Sequence, residues 1–286
     1  MKVIYLLYFK GDDFMVCKIK PKYFDLTKFL NKEIGFNSVG GMKLKALAKE
    51  YKNTQNELRL ATSLQKSLMK DQKFFSRLDM YGRYLPITDL AGDMYDLVKV
   101  NDNYWFIISD VMGHGISASM ISFMIKALFF QSIQYHKTPD KVLEDINKTF
   151  IEMMGTDNNI IFSAFIGLIN ENNLLYSNAG HPYPLLIDST TNETKLINDT
   201  DTILGIFKDI KYNLGQAKLK KDDLLILFTD GLYENSYLGD ISKVYNYTKN
   251  YNIKDPDKYL DDLINHFKKY NNNFTDDVTT MLIKIK

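Results

Sequence analysis

Several aspartates in this chain stand at the edge of an apolar run, beside residues small enough to let backbone come close. Trp105–Ile108 ends at Ser109-Asp110, and Gly113, Gly115, Ser117 and Ala118 follow. Ala91-Gly92-Asp93-Met94-Tyr95-Asp96 precedes a strand-like stretch, and Asp222–Thr229 ends in Asp230-Gly231. Thr275-Asp276-Asp277-Val278-Thr279 leads into the apolar Met281–Ile285. Strand-end carboxylates beside permissive glycines suit a hard cation, which takes oxygen ligands and needs backbone nearby. A single such Asp also fits a polar strand end turning into a helix; recurrence at positions far apart, yet free to converge, carries the cation reading. Oxygen donors favour Mg²⁺ or Mn²⁺ over Zn²⁺, which would draw on His and Cys. The chemistry natural to such a site is displacement at phosphorus, where two ions about 4 Å apart acidify water and neutralise the oxygens of an anionic monoester.

In chain order, AGDMYD (91–96), SDVMGHG (109–115), NAGHP (178–182), LG (204–205), FTDGLYE (228–234) and DDVT (276–279) resemble the SpoIIE-type branch of the metal-dependent PPM protein phosphatases. That branch includes phosphatases that control partner-switching regulators of sigma factors. The resemblance runs from about Leu60 to Lys286, with Ala91 standing where the family usually has Gly. It implies metal ligands at Asp93, Asp110, the carbonyl of Val111, Asp230 and Asp276, holding two Mn²⁺ or Mg²⁺ ions, with Asp277 as the alternative to Asp276. It further implies direct hydrolysis of phosphoserine or phosphothreonine on a small regulatory protein of the anti-anti-sigma (STAS) kind. Asp96 reads either as a further ligand or as a hydrogen-bond acceptor in its own turn.

His114 and His181 invite a role as proton donors to the leaving oxygen; the alternative is that each orients its glycine-rich turn. His114 is the candidate catalytic residue. Two other classes of function compete with the enzyme. A catalytically silent binding or scaffold module of the same fold would have little reason to keep the whole Asp set. A structural Ca²⁺ site would need an Asp-x-Asp-x-Asp-Gly loop with a distal Glu, which is absent from the sequence.

Composition narrows the field. The 286 residues are 45% hydrophobic and 25% charged, an ordinary globular balance. A net charge of +1 gives no electrostatic footprint for nucleic acid or anionic lipid. Cys17, the one cysteine, excludes a disulfide framework or cysteine zinc cluster and reads as a small core residue. Met1–Phe9 is too short to span a bilayer, and Ile116–Phe130, which contains Lys126, reads as a core helix. The expectation is a cytoplasmic protein with no membrane span.

The elements that must position the aspartates follow from periodicity. Val3–Phe9 and Phe14–Ile19 flank a turn and read as a hairpin, Asp25 caps a short helix through Ile34, and Gly40-Gly41 reads as a hinge. Met42–Lys70 is a long helical pattern. Leu44, Leu47, Tyr51, Thr54, Leu58, Ala61, Gln65 and Leu68 form a heptad seam in it, weakened by Thr54 and Gln65. That seam suits either a homodimer or packing on the chain's own domain. Strands are expected at Phe74–Leu85, Met94–Val100 and Tyr104–Ser109, then helices at Ile116–Tyr135 and Pro139–Met154, the second capped by Thr138. A meander follows through Ile160–Ile169, Leu174–Ser177, Tyr183–Ile187 and Thr194–Ile197, continued by Leu214–Leu219 and Leu224–Thr229. A helix at Pro256–Lys269 and a strand at Val278–Ile285 close the chain. Hairpin-joined strands with paired helices give an α+β class, two stacked antiparallel sheets flanked by helix pairs. The resemblance implies the layered helix–sheet–sheet–helix form of it. The expected organisation is a small N-terminal segment (1–41), a helical linker (42–70) and a phosphatase domain (71–286).

Overall fold

The computed structural model describes residues 4–10, 13–19, 39–155, 160–234, 240–251, 253–270 and 273–286. The chain divides into two compact units, Met1–Ala61 and Thr62–Lys286. In the first, β1 (Ile4–Lys10) and β2 (Asp13–Ile19) pair antiparallel with Leu6 opposite Cys17, the hairpin expected from the sequence. The short helix expected at 25–34 lies outside the described residues. Helix α1 spans Val39–Leu68, so Gly40 and Gly41 belong to its first turn and are not a hinge ahead of it. The division between units falls inside α1.

The second unit is built in layers. Its elements are β3 (Gln72–Phe74), β4 (Leu78–Leu85), β5 (Met94–Val100), β6 (Asn103–Val111), α2 (Ile116–Ser132), α3 (Pro139–Met154), β7 (Phe162–Asn170) and β8 (Asn173–Ala179). Then come β9 (Leu185–Ile187), β10 (Thr194–Leu196), β11 (Gly215–Lys218), β12 (Leu224–Phe228), α4 (Ser242–Lys249), α5 (Pro256–Tyr270) and β13 (Val278–Ile285). A six-stranded sheet has the order β10-β9-β12-β13-β4-β3, and a five-stranded sheet has the order β11-β8-β7-β6-β5. Strand alternation shows how they stack. In β12, Leu225 and Leu227 enter the larger core shared with β5–β8, α2 and α3, while Leu224, Ile226 and Phe228 enter a second core with α4 and α5. β13 divides likewise, Met281 and Ile283 against Val278 and Leu282. Two antiparallel sheets therefore lie face to face between helix layers.

The structure adds to or departs from the sequence reading at three points. The meander is split: β7, β8 and β11 belong to one sheet and β9, β10 and β12 to the other. Short apolar strands with polar turns look alike in either sheet, so the pattern cannot assign them. Helix α4 was not foreseen, because Tyr, Asn and Thr are weak helix formers. Tertiary contacts hold it, with Val244 buried and the Thr248 hydroxyl 2.7 Å from that of Tyr259. Thr138 does occupy the cap position of α3, but its side chain makes no capping bond.

Candidate active site

Two strand ends deliver the carboxylates. β5 pairs with β6 with Met94 opposite Ser109, and one more step of that register sets Asp93 across from Asp110. In the other sheet Phe228 lies opposite Thr280. The bond from Thr229 N–H to the Thr279 carbonyl, 2.9 Å, extends that ladder to the threshold of Asp230, with Asp276 and Asp277 just ahead of β13. Stacking of the sheets closes the gap: the Asp110 carboxyl shares hydrogen bonds with both Asp93 and Asp230. Asp110 is thus one of the residues at which the two sheets meet.

Burial and mutual repulsion shift these groups together. Asp93 is 1% exposed; burial, then the charge of Asp110, holds its carboxyl well above the usual range. Burial, then the charges of Asp230 and Asp276, pushes Asp110 up to about 7. Burial and Asp276 also raise Asp230, while Glu234 is raised first by the charge of Asp230 and then by burial. Among the described residues, no Lys or Arg figures in the leading influences on these carboxyls. Buried like charges without a cation are costly, and a divalent ion is the natural remedy.

The backbone is shaped for the same purpose. A Cβ at Gly92 would lie 2.7 Å from the Val111 carbonyl oxygen, so only glycine lets that carbonyl come up beside the Asp93 turn. A Cβ at Gly231 would lie 2.0 Å from the Asp277 carbonyl oxygen, which keeps the Asp230 and Asp276 segments in contact. Among the described residues, no three His, Cys, Asp or Glu side chains converge as a ready-made cage. The carboxyls meet in pairs instead. An all-oxygen set offering one or two carboxylates fits Mg²⁺ or Mn²⁺, which keep several waters.

The neighbouring polar residues separate into support and solvent-facing groups. The Thr229 hydroxyl donates to Asp93 Oδ2 at 2.8 Å and accepts from Thr279 N–H at 2.9 Å, so it has one orientation. Asp277 accepts from the Ile87 and Gly92 N–H groups at 2.7 and 3.0 Å, which commits both its oxygens to the loop before Asp93. Asp276 Oδ1 accepts from the Asp277 N–H at 2.8 Å. Asp96 is no part of the cluster. It accepts from the Leu97 N–H and pairs with Lys126 at 2.6 Å and with Lys73; burial works to raise its pKa, but the two lysines outweigh that and hold it low. His181 is 2% exposed, with Nδ1 2.8 Å from the Ser163 hydroxyl, and burial pushes its imidazole down to about 3. Asn178 clamps the same turn through the His181 N–H and carbonyl, so His181 is a neutral strut. His114 stands exposed between β6 and α2, its influence falling on Asp277.

Sequence reasoning missed Gln65, Thr229, Ser122 and Glu234. Gln65, read there as a flaw in the α1 seam, is buried, and its amide binds both the Ala91 carbonyl (2.9 Å) and the Ala91 N–H (3.2 Å). The signal was present, a polar residue at an apolar heptad position, but its partner is remote in sequence. The Ser122 hydroxyl of α2 donates to the Gly92 carbonyl.

A family model described as stage II sporulation protein E (SpoIIE) matches residues 101–286. That match begins after Asp93, whose placement therefore stands on geometry. Phosphoserine phosphatase RsbP of Bacillus subtilis (strain 168) is 28% identical over 199 residues, 67% of this chain and 49% of RsbP. The chain thus spans about half the length of that relative. Among solved structures, the SiaA-PP2C domain of Pseudomonas aeruginosa has a TM-score of 0.71 at 15% identity, covering 84% of this chain and 100% of that one. RsbX in complex with magnesium has a TM-score of 0.57 at 20% identity, covering 75% and 98%. At these identities the structural likeness establishes the fold, two antiparallel sheets between helices.

Proposed function

The chain belongs to the SpoIIE family, and from that premise we propose that it is a metal-dependent serine/threonine protein phosphatase. Its substrate would be a phosphoserine or phosphothreonine on a regulatory protein of the anti-anti-sigma (STAS) kind. The observation that carries the reading is the Asp110 carboxyl hydrogen-bonded to Asp93 and Asp230 from opposite sheets, with no Lys or Arg, among the described residues, in the leading influences on it. Asp93, Asp110, the Val111 carbonyl, Asp230 and Asp276 would hold two Mn²⁺ or Mg²⁺ ions. Asp276 is preferred over Asp277 because both oxygens of Asp277 are taken by backbone N–H groups. When bound, the ions supply an acidified water and neutralise the phosphoryl oxygens. The chain's own part is to hold Asp93 through Thr229, to fix its turn through Asp277 and Gln65, and to offer His114 as proton donor to the departing serine or threonine oxygen.

Among the described residues, no helix is long and apolar enough to cross a membrane, and a cytoplasmic site of action goes with this reading. So does pairing of two copies through the 42–70 helix, where Leu47, Tyr51, Leu64 and Leu68 stand exposed. The direct test is release of phosphate from p-nitrophenyl phosphate with and without Mn²⁺. Release that needs the metal is expected; none with Mn²⁺ or Mg²⁺ at saturation would leave a binding module of the same fold.

A further inference from the structure

Helix α2 begins at the site and is apolar on nearly every side, yet only one side is covered. Ala118, Ser122, Ile125 and Phe129 are buried. At about 100° per residue, Ile116, Met120, Phe123, Ala127 and Phe130 fall opposite them within an arc of about 80°. Ile116 is 61% exposed, Met120 66% and Phe130 57%; Ala127 is exposed too, and Phe123 between them is half-buried. The one charged side chain of the helix, Lys126, is turned away to Asp96 (2.6 Å) and the Leu68 carbonyl (3.1 Å). What was read from the sequence as a core helix therefore carries an uncharged stripe along its open side, and exposed apolar surface of this kind marks an interaction site. Its steps of four, three, four and three residues are those that receive another helix.

We propose that this stripe is the docking surface for an apolar helix of the phosphoprotein substrate, an inference that rests on the phosphatase reading above. Continuity with the site selects this occupant. Met112, 66% exposed, extends the stripe to within two residues of Asp110. Between Met112 and Ile116, Gly113 and Gly115 have no atom within 4 Å of where a Cβ would lie, so no other element covers the loop that joins the stripe to the Asp110 strand end. A phosphoserine side chain buries few atoms, whereas a specific protein complex covers about 800 Å² on each partner. A substrate presenting that side chain to Asp110 must spread beyond the loop, and α2 offers apolar, uncharged surface there.

The test compares wild type with Met120→Glu/Phe130→Glu and with the uncharged Met120→Gln/Phe130→Gln at saturating Mn²⁺. The probes are p-nitrophenyl phosphate and a serine-phosphorylated STAS-domain protein. Expected is a loss of at least about tenfold in kcat/KM on the phosphoprotein, mostly in KM. Turnover of the aryl phosphate should stay within about twofold, with sedimentation unchanged. Undiminished phosphoprotein turnover in both variants overturns the proposal. So does an equal loss on both probes, which would make the stripe a support of the catalytic fold. Loss of a wild-type dimer with phosphoprotein turnover kept would assign the stripe to a second copy instead. A wild type active on the aryl phosphate alone overturns the choice of occupant and leaves the phosphatase reading standing, whereas inactivity on both probes ends that reading and this one together.

Discussion

The Asp110 carboxyl shares hydrogen bonds with Asp93 and Asp230, so in the metal-free protein a proton has to separate their charges. Replacing Asp110 or Asp230 by Asn removes one negative charge from the cluster. Each variant is expected to lose at least about a hundredfold in Mn²⁺-dependent turnover, while its metal-free melting temperature holds or rises. Wild-type rates at saturating Mn²⁺ would remove these residues from the site. The pH dependence has a definite sign. Asp110 is held up to about 7 in the folded chain and titrates near 3.9 when unfolded. Between those values the folded state keeps a proton that the unfolded state has released, so metal-free stability falls as pH rises from about 4 to about 7. Calorimetry of chelator-treated protein should show this fall in wild type and a smaller one in Asp110→Asn. Asp277→Asn turns an acceptor of two backbone N–H groups into a side chain with one donor facing a donor. A cost of about 1–3 kcal/mol in urea unfolding is expected, and an unchanged midpoint would contradict that role.

At the scale of elements, two helices reach the same turn. Gln65, near the end of α1, holds both backbone groups of Ala91, and Ser122 of α2 holds the carbonyl of Gly92. The Asp93 turn is therefore set by helix positions as well as by its own strand. Gln65→Leu keeps the bulk but leaves the Ala91 N–H and carbonyl without that partner. It should destabilise the chain by about 1–3 kcal/mol and raise the Mn²⁺ concentration for half-maximal activity. A Mn²⁺ titration that overlays wild type would make Gln65 a packing residue only. The Lys73–Asp96–Lys126 group has a different task, since it ties β3, β5 and α2 together beside the site without joining it.

For the whole molecule, the second unit rests on two apolar cores, and neither depends on an ion. The larger holds Trp105, Phe106, Phe129, Phe150 and Phe165; the other packs Tyr259, Leu263 and Phe267 against β12 and β13. Small domains that fold only with metal lack such cores. Chelation is therefore expected to abolish turnover while circular dichroism and cooperative unfolding persist. Loss of the near-ultraviolet signal on adding EDTA would show that the ions are structural.

What the sequence determined by itself was local. Met94–Val100, Pro139–Met154 and Val278–Ile285 have the same limits in the pattern and in the fold, because apolar periodicity, a helix-starting proline and strand ends act over a few residues. The aspartates could be picked out for the same reason, as polar residues where apolar runs stop. Tertiary structure alone decided which of them meet. Asp277 serves Gly92 across 185 positions and Gln65 serves Ala91 across 26, distances over which one chain carries no periodic signal. It also decided that Asp96 is neutralised by lysines, that His181 is sealed and uncharged, and which sheet receives β9, β10 and β11. In each case the outcome depends on desolvation and on a partner brought from elsewhere, and both exist only once the two sheets have stacked.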